Sequence, residues 1–342
     1  MIKQAILKLV NGSNLSEEES YQTMKVIYEG QAPVTQISAF ITALKIKGET
    51  ADEIVGAVKA ARESEMRLNI SGDVLSLDRE RINVDEETIL ETFGPDKKST
   101  RVFNVSTATA FVVAASGVKV LKYGKISWSD FCGTEDVLKA LGIRLNITLT
   151  QVERCVQHLG LGFLYYPLSQ DRVRNVIEAR QQLGFRTIFN VIDPLINPAG
   201  ARKAVLGVYK REMVKVMAEA FSRLGYTRGL VIYGQDCLDE ASVTGPTDLV
   251  EFIEGKINVR TITPEEVGLP RADVRDISGG GPQENASLIR QILSGEKNAR
   301  RDVVVLNAAL SLKTAGKVGD LTEGLRLAGE TIDSGRAQRL LD

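Results

Sequence analysis

Asp236, Asp239 and Glu240 place three carboxylates within five residues, directly after the apolar run Val231-Ile232-Tyr233. Acids that close repel one another unless a cation or a basic group neutralises them. Hard oxygen donors of this kind suit Mg2+, which takes one or two carboxylates and completes its shell with phosphate and water oxygens. Acidic residues at a helix start also favour the helix dipole, so a purely structural role stands beside the metal role. Two further junctions offer anion chemistry. In Val102-Phe103-Asn104-Val105-Ser106-Thr107, an amide, two hydroxyls and free backbone N–H groups stand at a predicted helix start, where a phosphate would be held. The alternative is that Ser106 or Thr107 merely caps the helix. Lys122 ends the run Val120-Leu121-Lys122 and is followed by Gly124, Ser127 and Thr134, which can surround an anion with charge and short donors. A solvated lysine with a helix cap at Thr134 is the other reading. Taken together, the three junctions compose a magnesium–diphosphate site.

Those junctions need a scaffold. From about residue 100, apolar runs at 118–122, 162–166, 204–209 and 229–233 read as buried strands. They alternate with helical stretches at 107–116, 134–141, 151–159, 172–183, 212–224 and 285–293. Such alternation predicts a large α/β domain with a mostly parallel central sheet, whose ligands bind beyond the carboxyl ends of the strands. Runs at 249–253 and 257–262, joined by Glu254-Gly255-Lys256, predict an antiparallel hairpin added late. The first 70 residues predict a small all-helical domain instead. Ser16 with Glu19 and Thr50 with Glu53 have capping-box spacing, Gly30 and Gly48 stop helices, and Pro33 suits a first helical position. Ile37, Phe40, Ile41 and Leu44 recur on one face. Three short amphipathic helices cannot bury such stripes alone, so the rest of the chain or a second subunit must cover them. The polar stretch 67–98 is the candidate hinge, dividing 1–70 from 71–342.

Composition narrows the chemistry. Of 342 residues, 43% are hydrophobic and 25% charged, which excludes wholesale disorder. Forty-three Lys+Arg against 44 Asp+Glu give a net charge of -1, so no global basic field draws in nucleic acid. Cys132, Cys155 and Cys237 are too few and too scattered for a disulfide framework or a zinc ribbon, and fit reduced thiols in a cytoplasmic protein. No apolar run reaches membrane-spanning length, and the amino-terminal one is too short for a signal peptide. His158, the single histidine, falls in a predicted helix away from the three junctions and has a packing or surface role.

Several long segments carry a resemblance: FNVSTATAFVVAASGVKVLKYG, CGTEDVLKALGI, LGFRTIFNVIDPLINPAGA, YGQDCLDEAS, and the stretch from Pro282-Gln283-Glu284-Asn285-Ala286 to Leu306-Asn307-Ala308-Ala309. In that order they are similar to the anthranilate phosphoribosyltransferase family, a glycosyltransferase group related to the pyrimidine nucleoside phosphorylases. The likeness covers nearly the whole chain. It implies that an insertion near 170–185 completes the helical domain and that a homodimer forms through it. It also implies phosphoribosyl pyrophosphate and a small aromatic acceptor as substrates, with Mg2+ as cofactor. Carried over by residue, Asn104, Ser106 and Thr107 would contact phosphoribosyl pyrophosphate, with Ser106 also a magnesium ligand. Lys122 would meet the diphosphate, followed by the hydroxyls of Ser127, Ser129 and Thr134. Asp239 and Glu240 would bind a second magnesium, and with Lys122 they form the expected catalytic set. Arg180 would hold the acceptor's carboxylate.

Departures from the family pattern fall at the same places. Its glycine-rich turn is reduced to Gly94 and Asp96, among which Phe93 and Pro95 add bulk and Pro95 removes a donor. The Lys-His-Gly-Asn-Arg motif reads Lys122-Tyr123-Gly124-Lys125-Ile126. Ser129-Asp130 stands for two serines, Ser169-Gln170 for a histidine pair, Tyr233 for a histidine and Asp193 for a glycine. Tyr123, Lys125, Gln170 and Arg180 then make the expected acceptor pocket, and Tyr123 and Tyr233 are available to stack on a different aromatic or heterocyclic amine. The expected activity is phosphoribosyl transfer to an acceptor other than anthranilate. The alternative is a non-catalytic homologue acting as a nucleic-acid-binding or regulatory protein, for which Arg202, Lys203, Lys210, Arg211 and Lys215 offer a basic cluster. Nucleoside phosphorolysis ranks third.

Overall fold

A computed structural model of the 342-residue chain describes residues 1–64, 68–79, 102–124, 133–165, 170–208, 210–236 and 238–342. Four helices open it: α1 (Ile2–Val10), α2 (Glu17–Tyr28), α3 (Val34–Lys47) and α4 (Ala51–Ser64). The Ser16–Glu19 capping box is present, with Ser16 N–H donating to Glu19 at 2.8 Å. Thr50 and Glu53 pair in the same way before α4. Pro33 stands one residue earlier than its spacing suggested, capping α3 from outside rather than filling its first turn. The apolar stripes are covered within the chain. α2 packs on α4, α1 on α3, and α4 also meets α10 (Met213–Arg223). α3 packs on α8 (Gln170–Leu183), whose Asn175 donates to Ala32 O at 2.8 Å. Arg62, at the end of α4, fastens the bundle to the rest by donating to Leu195 O at 3.0 and 2.8 Å and to Leu224 O at 3.2 Å.

The remaining described residues build on one sheet in the order β3-β2-β1-β4-β5-β6-β7. β1 (Leu75–Arg79), β2 (Val120–Gly124), β3 (Leu161–Tyr165), β4 (Lys203–Gly207) and β5 (Arg228–Gly234) are parallel. β6 (Thr247–Ile253) and β7 (Lys256–Ile262) form the antiparallel hairpin that the sequence predicts. β1 is a correction: the stretch assigned to a hinge contains a strand in the middle of the sheet. Leu-Ser-Leu-Asp-Arg alternates rather than running apolar, and the buried Ser76 hydroxyl is satisfied by Asn197, which donates to it at 2.9 Å. From β1 the chain winds one way to β2 and β3, then the other way to β4 and β5. The winding therefore reverses between β1 and β4, and at such a switch point a crevice opens at the carboxyl edge.

Alternation sorts the two faces. Leu121, Tyr123, Ala204, Leu206 and Val231 join the core that includes the amino-terminal bundle, so bundle and sheet share one hydrophobic interior. Leu75, Leu77, Val120, Val205, Leu230 and Ile232 face the other layer. There α5 (Val105–Ala115) is buried on nearly every side, between the sheet and α12 (Ala299–Ala315), α13 (Leu321–Asp333) and α14 (Arg336–Leu341). After a first turn of small hydroxyls, Ala108, Ala110, Phe111, Val112 and Val113 supply the apolar surface that such a position requires. α6 (Thr134–Ala140), α7 (Leu149–Leu159), α9 (Ile188–Ile192) and α11 (Pro282–Leu293) complete the layers.

Candidate functional site

Lys122 points from β2 into the α5 face and is 2% exposed. Its ammonium donates to Leu77 O and to Ser106 Oγ, both at 3.2 Å. Ser106 lies in the first turn of α5, and its backbone N–H donates to Glu240 Oε1 at 3.1 Å. A cation, a hydroxyl and a carboxylate from three separate junctions thus meet beside the switch point. Asp239 and Glu240 are each 5% exposed. Their backbone is seated by close approach, because a Cβ on Gly207 at the end of β4 would lie 1.7 Å from Asp239 O. Gly234 N–H donates to Leu238 O at 2.8 Å, closing the loop that delivers the acids.

Two asparagines that sequence reasoning left without a role hold this group in place. Asn307 of α12 accepts from Ala241 N–H at 3.0 Å and donates to Ala241 O at 2.8 Å, gripping the residue after Glu240 at both backbone groups. Asn285 of α11 donates to Asn104 Oδ1 at 3.0 Å, just ahead of α5. Both lie in the segments that carry the family resemblance, but nothing local marks either as part of a site.

The expected phosphate cradle of free backbone N–H groups is absent among the described residues. Val105 N–H is taken by Phe103 O at 2.7 Å, Ser106 N–H by Glu240, and Thr107 N–H by Asn104 O at 3.1 Å. The positive end of α5 is met by an internal carboxylate, which is why a ligand would find side chains here rather than a helix terminus. Thr107 is fully buried and presents no surface, while Asn104 is 4% exposed. Thr134 opens α6, but Gly133 occupies the cap position and donates to Asp136 at 3.2 Å. Among the described residues no hydrogen bond joins Thr134 to the Lys122 group. Asp236, the first of the three acids, is occupied by the hydroxyls of Ser242 and Thr244 and shapes its own loop. Gly94, Asp96, Lys125, Ser127, Ser129 and the side chain of Gln170 lie outside the described residues.

Arg180 belongs to α8, whose Val176 and Ala179 pack into the core that the sheet shares with the helical bundle. Its guanidinium lies 3.4 Å from Asp193 Oδ2 and 5.6 Å above the Phe189 ring. Tyr123 faces the same side but is 5% exposed within the core. Tyr233 also faces that side, yet β2 and β5 are three strand spacings apart, roughly 14 Å. The two tyrosines therefore cannot flank one ring, contrary to expectation. The basic cluster is divided as well: Arg202 and Lys203 start β4, whereas Lys210 and Arg211 follow its end. Lys203 pairs with Asp73 at 2.7 Å and Arg211 with Asp248 at 2.8 Å, which removes the continuous positive stripe a nucleic acid backbone needs.

Hard oxygen donors at Asp239, Glu240 and Ser106 fit Mg2+. Among the described residues no group of three or more His, Cys, Asp or Glu is arranged to hold a metal, so protein carboxylates alone do not complete a shell. One or two acids with the rest left to substrate oxygens is the ordinary arrangement for Mg2+. Among the described residues no helix is long and apolar enough to cross a membrane.

A helical bundle joined to a mostly parallel sheet, with cation and carboxylates gathered at its switch point, defines the class, a two-part glycosyl transferase. Residues 3–65 match the family model described as glycosyl transferase family, helical bundle domain, and residues 90–338 that of the glycosyl transferase family a/b domain. The chain is 45% identical over 342 residues to the anthranilate phosphoribosyltransferase of Geotalea uraniireducens, spanning 100% of this chain and 98% of that protein. It is 46% identical over 336 residues to that of Syntrophotalea carbinolica, spanning 97% and 95%. The crystal structure of anthranilate phosphoribosyltransferase from Thermus thermophilus superposes with a TM-score of 0.87 at 38% identity, over 98% of this chain and 97% of that one. The Saccharomyces cerevisiae enzyme in complex with PRPP and Mg shares the fold, with a TM-score of 0.84 at 24% identity over 99% and 95%. The chain belongs to the anthranilate phosphoribosyltransferase family.

Proposed function

We propose that the chain transfers phosphoribosyl from phosphoribosyl pyrophosphate to an aromatic or heterocyclic amine that lacks the carboxylate of anthranilate. The donor half rests on the convergence of Lys122, Ser106 and Glu240 at the switch point. The amine nitrogen forms a bond to the anomeric carbon of the ribose, the bond from that carbon to the pyrophosphate oxygen breaks, and its electron pair leaves with pyrophosphate. The amine's surplus proton passes to solvent. Lys122, fixed by Ser106 and Leu77 O, offers a desolvated positive charge to the departing group, and preorganised charge of this kind lowers a barrier more than a mobile one does. Ser106, Asp239 and Glu240 would hold Mg2+, which when bound supplies further neutralisation of the diphosphate.

Arg180 supports the acceptor half. If it takes the family's place for the acceptor's carboxylate, Asp193 already supplies that carboxylate from within the chain. A second carboxylate would have to displace the first. Neutral or cationic amines would not. Exposed Leu7 and Val10 on α1 and Ile46 on α3 are consistent with a homodimer through the helical part, comprising 1–70 with the 170–185 insertion. Sedimentation of the full chain as a monomer at micromolar concentration would remove that element.

Calorimetry with phosphoribosyl pyrophosphate and Mg2+ tests the donor half, and absence of heat at millimolar ligand would overturn it. Product analysis with aniline-type and heterocyclic amines beside anthranilate tests the acceptor half. Faster turnover of anthranilate than of the carboxylate-free amines would overturn that part alone.

A further inference from the structure

We infer that Asn285 is a positioning residue for the diphosphate site, setting through Asn104 which end of an amide the incoming anion meets; this rests on the donor reading above. A carboxamide has one accepting end and one donating end, and only its bonding partners say which is which. A backbone N–H can only donate. Gly280 N–H lies 2.8 Å from Asn285, so the atom facing it is Oδ1. The other end of Asn285 is then Nδ2, a donor, and it lies 3.0 Å from the Asn104 carboxamide. That contact requires Asn104 to present Oδ1 to it. The end of Asn104 not committed to Asn285 is Nδ2, which carries two donors and stands two residues before Ser106. One backbone N–H thus fixes two amides in sequence, and the second is left with donor polarity, which a diphosphate needs.

Both asparagines are 4% exposed, so water cannot easily stand in if either amide turns over. The surrounding chain is built for the contact. Phe103 N–H donates to Ile277 O at 3.3 Å, Val102 bridges Ser278, and Arg300 Nε donates to Ser278 O at 3.1 Å. Gly279 lets the strands of chain approach, since a Cβ there would lie 2.4 Å from Asn285 Oδ1 and 2.7 Å from Phe103 Cα. Asn285 N–H is used separately, donating to Gly281 O at 2.9 Å in the first turn of α11.

Asn285→Asp tests this in the full-length protein. The aspartate still accepts from Gly280 N–H but sets an oxygen against Asn104, which must turn over and present Oδ1 to the ligand. Titration with phosphoribosyl pyrophosphate and Mg2+ should show affinity weakened about tenfold or more, the scale of one hydrogen bond to a charged group. KM for that substrate should rise while KM for the amine stays unchanged. Asn285→Ala and a double variant with Asn104→Ala separate amide polarity from added charge or lost packing. Once Asn104→Ala is present, Asn285→Asp should have little further effect on affinity. Additive losses in the double variant, or unchanged affinity in Asn285→Asp, overturn the inference while leaving the donor reading intact. Absence of ligand binding by the wild-type protein overturns both.

Discussion

Ser106 N–H donates to Glu240 Oε1 at 3.1 Å across 134 residues of sequence, so α5 begins against a carboxylate that belongs to the chain. One oxygen stabilises the helix start, and the carboxylate is at the same time a chemically suitable donor for a cation. Glu240→Gln separates the two jobs, because the amide oxygen can still accept from Ser106. Loss of the charge at the helix dipole should cost only about 0.3–1 kcal/mol. Mg2+-dependent affinity for phosphoribosyl pyrophosphate should fall about tenfold or more, since charge-assisted contacts are the stronger ones. Thermal melts and calorimetry with and without Mg2+ check the pair of outcomes. Equal affinity in the variant would place the cation elsewhere.

Lys122 makes the converse case. Its ammonium is buried against an apolar sheet face with a hydroxyl and a carbonyl as acceptors. Removing a buried cation strands the groups that it satisfies, here Leu77 O and Ser106 Oγ among others. Lys122→Met should therefore lower the melting temperature while turnover falls about 100-fold, the size of one removed electrostatic donor. Steady-state kinetics beside a melting curve reads both. Unchanged turnover would make the lysine a structural group only.

What the sequence made legible was the layer structure and the three junctions, because apolar runs and capping pairs are local signals. The parallel strands after residue 100 and the late hairpin lie within two residues of their expected places at most ends. β1 escaped because its pattern is polar and alternating, and its central position depends on neighbours at 120–124 and 203–207. α1 has no side-chain cap to announce it, whereas Asn298 and Asp320 do cap α12 and α13, two signals that the pattern of apolar runs passed over. At the site, residue types were readable but pairings were not. The sequence offers Asp193, Arg180, Asn307 and Glu240 as separate letters, and only folding shows that the first two face each other and that the last meets the helix start. Free N–H groups were expected at α5 because the carboxylate that takes the one on Ser106 comes from a distant loop, while Phe103 O and Asn104 O take its two neighbours.

Arg180 and Asp193 lead to a substrate test. With its guanidinium 3.4 Å from Asp193 and stacked over Phe189, Arg180 is neutralised and oriented. Asp193→Gly should release it for an external carboxylate, and an arginine–carboxylate pair contributes on the order of 1.5–3 kcal/mol where it is shielded from water. Anthranilate affinity should then improve about tenfold or more, with little change for aniline-type amines. Competition binding measures the ratio directly. A ratio that does not move would remove Asp193 from acceptor selection.

Glu53 supplies a stability test inside the bundle. Its side chain is fully buried, accepting from Leu15 N–H, Thr50 N–H and the Lys47 ammonium, each at 2.9 Å. Lys47 is itself only 8% exposed at the side chain. Removing one member of such a pair strands the other and leaves two backbone donors unmet. Glu53→Ala should lose about 3–5 kcal/mol. Glu53→Gln, which keeps an acceptor, should lose less. Urea denaturation followed by circular dichroism orders the variants, and equal stability of Glu53→Ala and wild type would contradict the assignment.

Arg223 of α10 binds Glu17 of α2 and Asp52 of α4, clasping the bundle to the sheet, while Lys59 binds Glu17 from the other side. Lys59 first, and Arg223 after it, hold the Glu17 carboxyl below its ordinary value of 4.5. A group whose folded value is lowered contributes its stability above the unfolded value and loses it as pH falls through the folded one. The clasp is partly exposed, so its worth should stay within about 1 kcal/mol and be screened by salt. Arg223→Ala should therefore melt slightly below wild type at neutral pH. The gap should shrink as pH drops below 4.5 and also in molar salt at neutral pH. Melting curves across both series decide it: a gap that is constant in pH and salt would mean that Arg223 acts by packing its stem on the bundle rather than by charge.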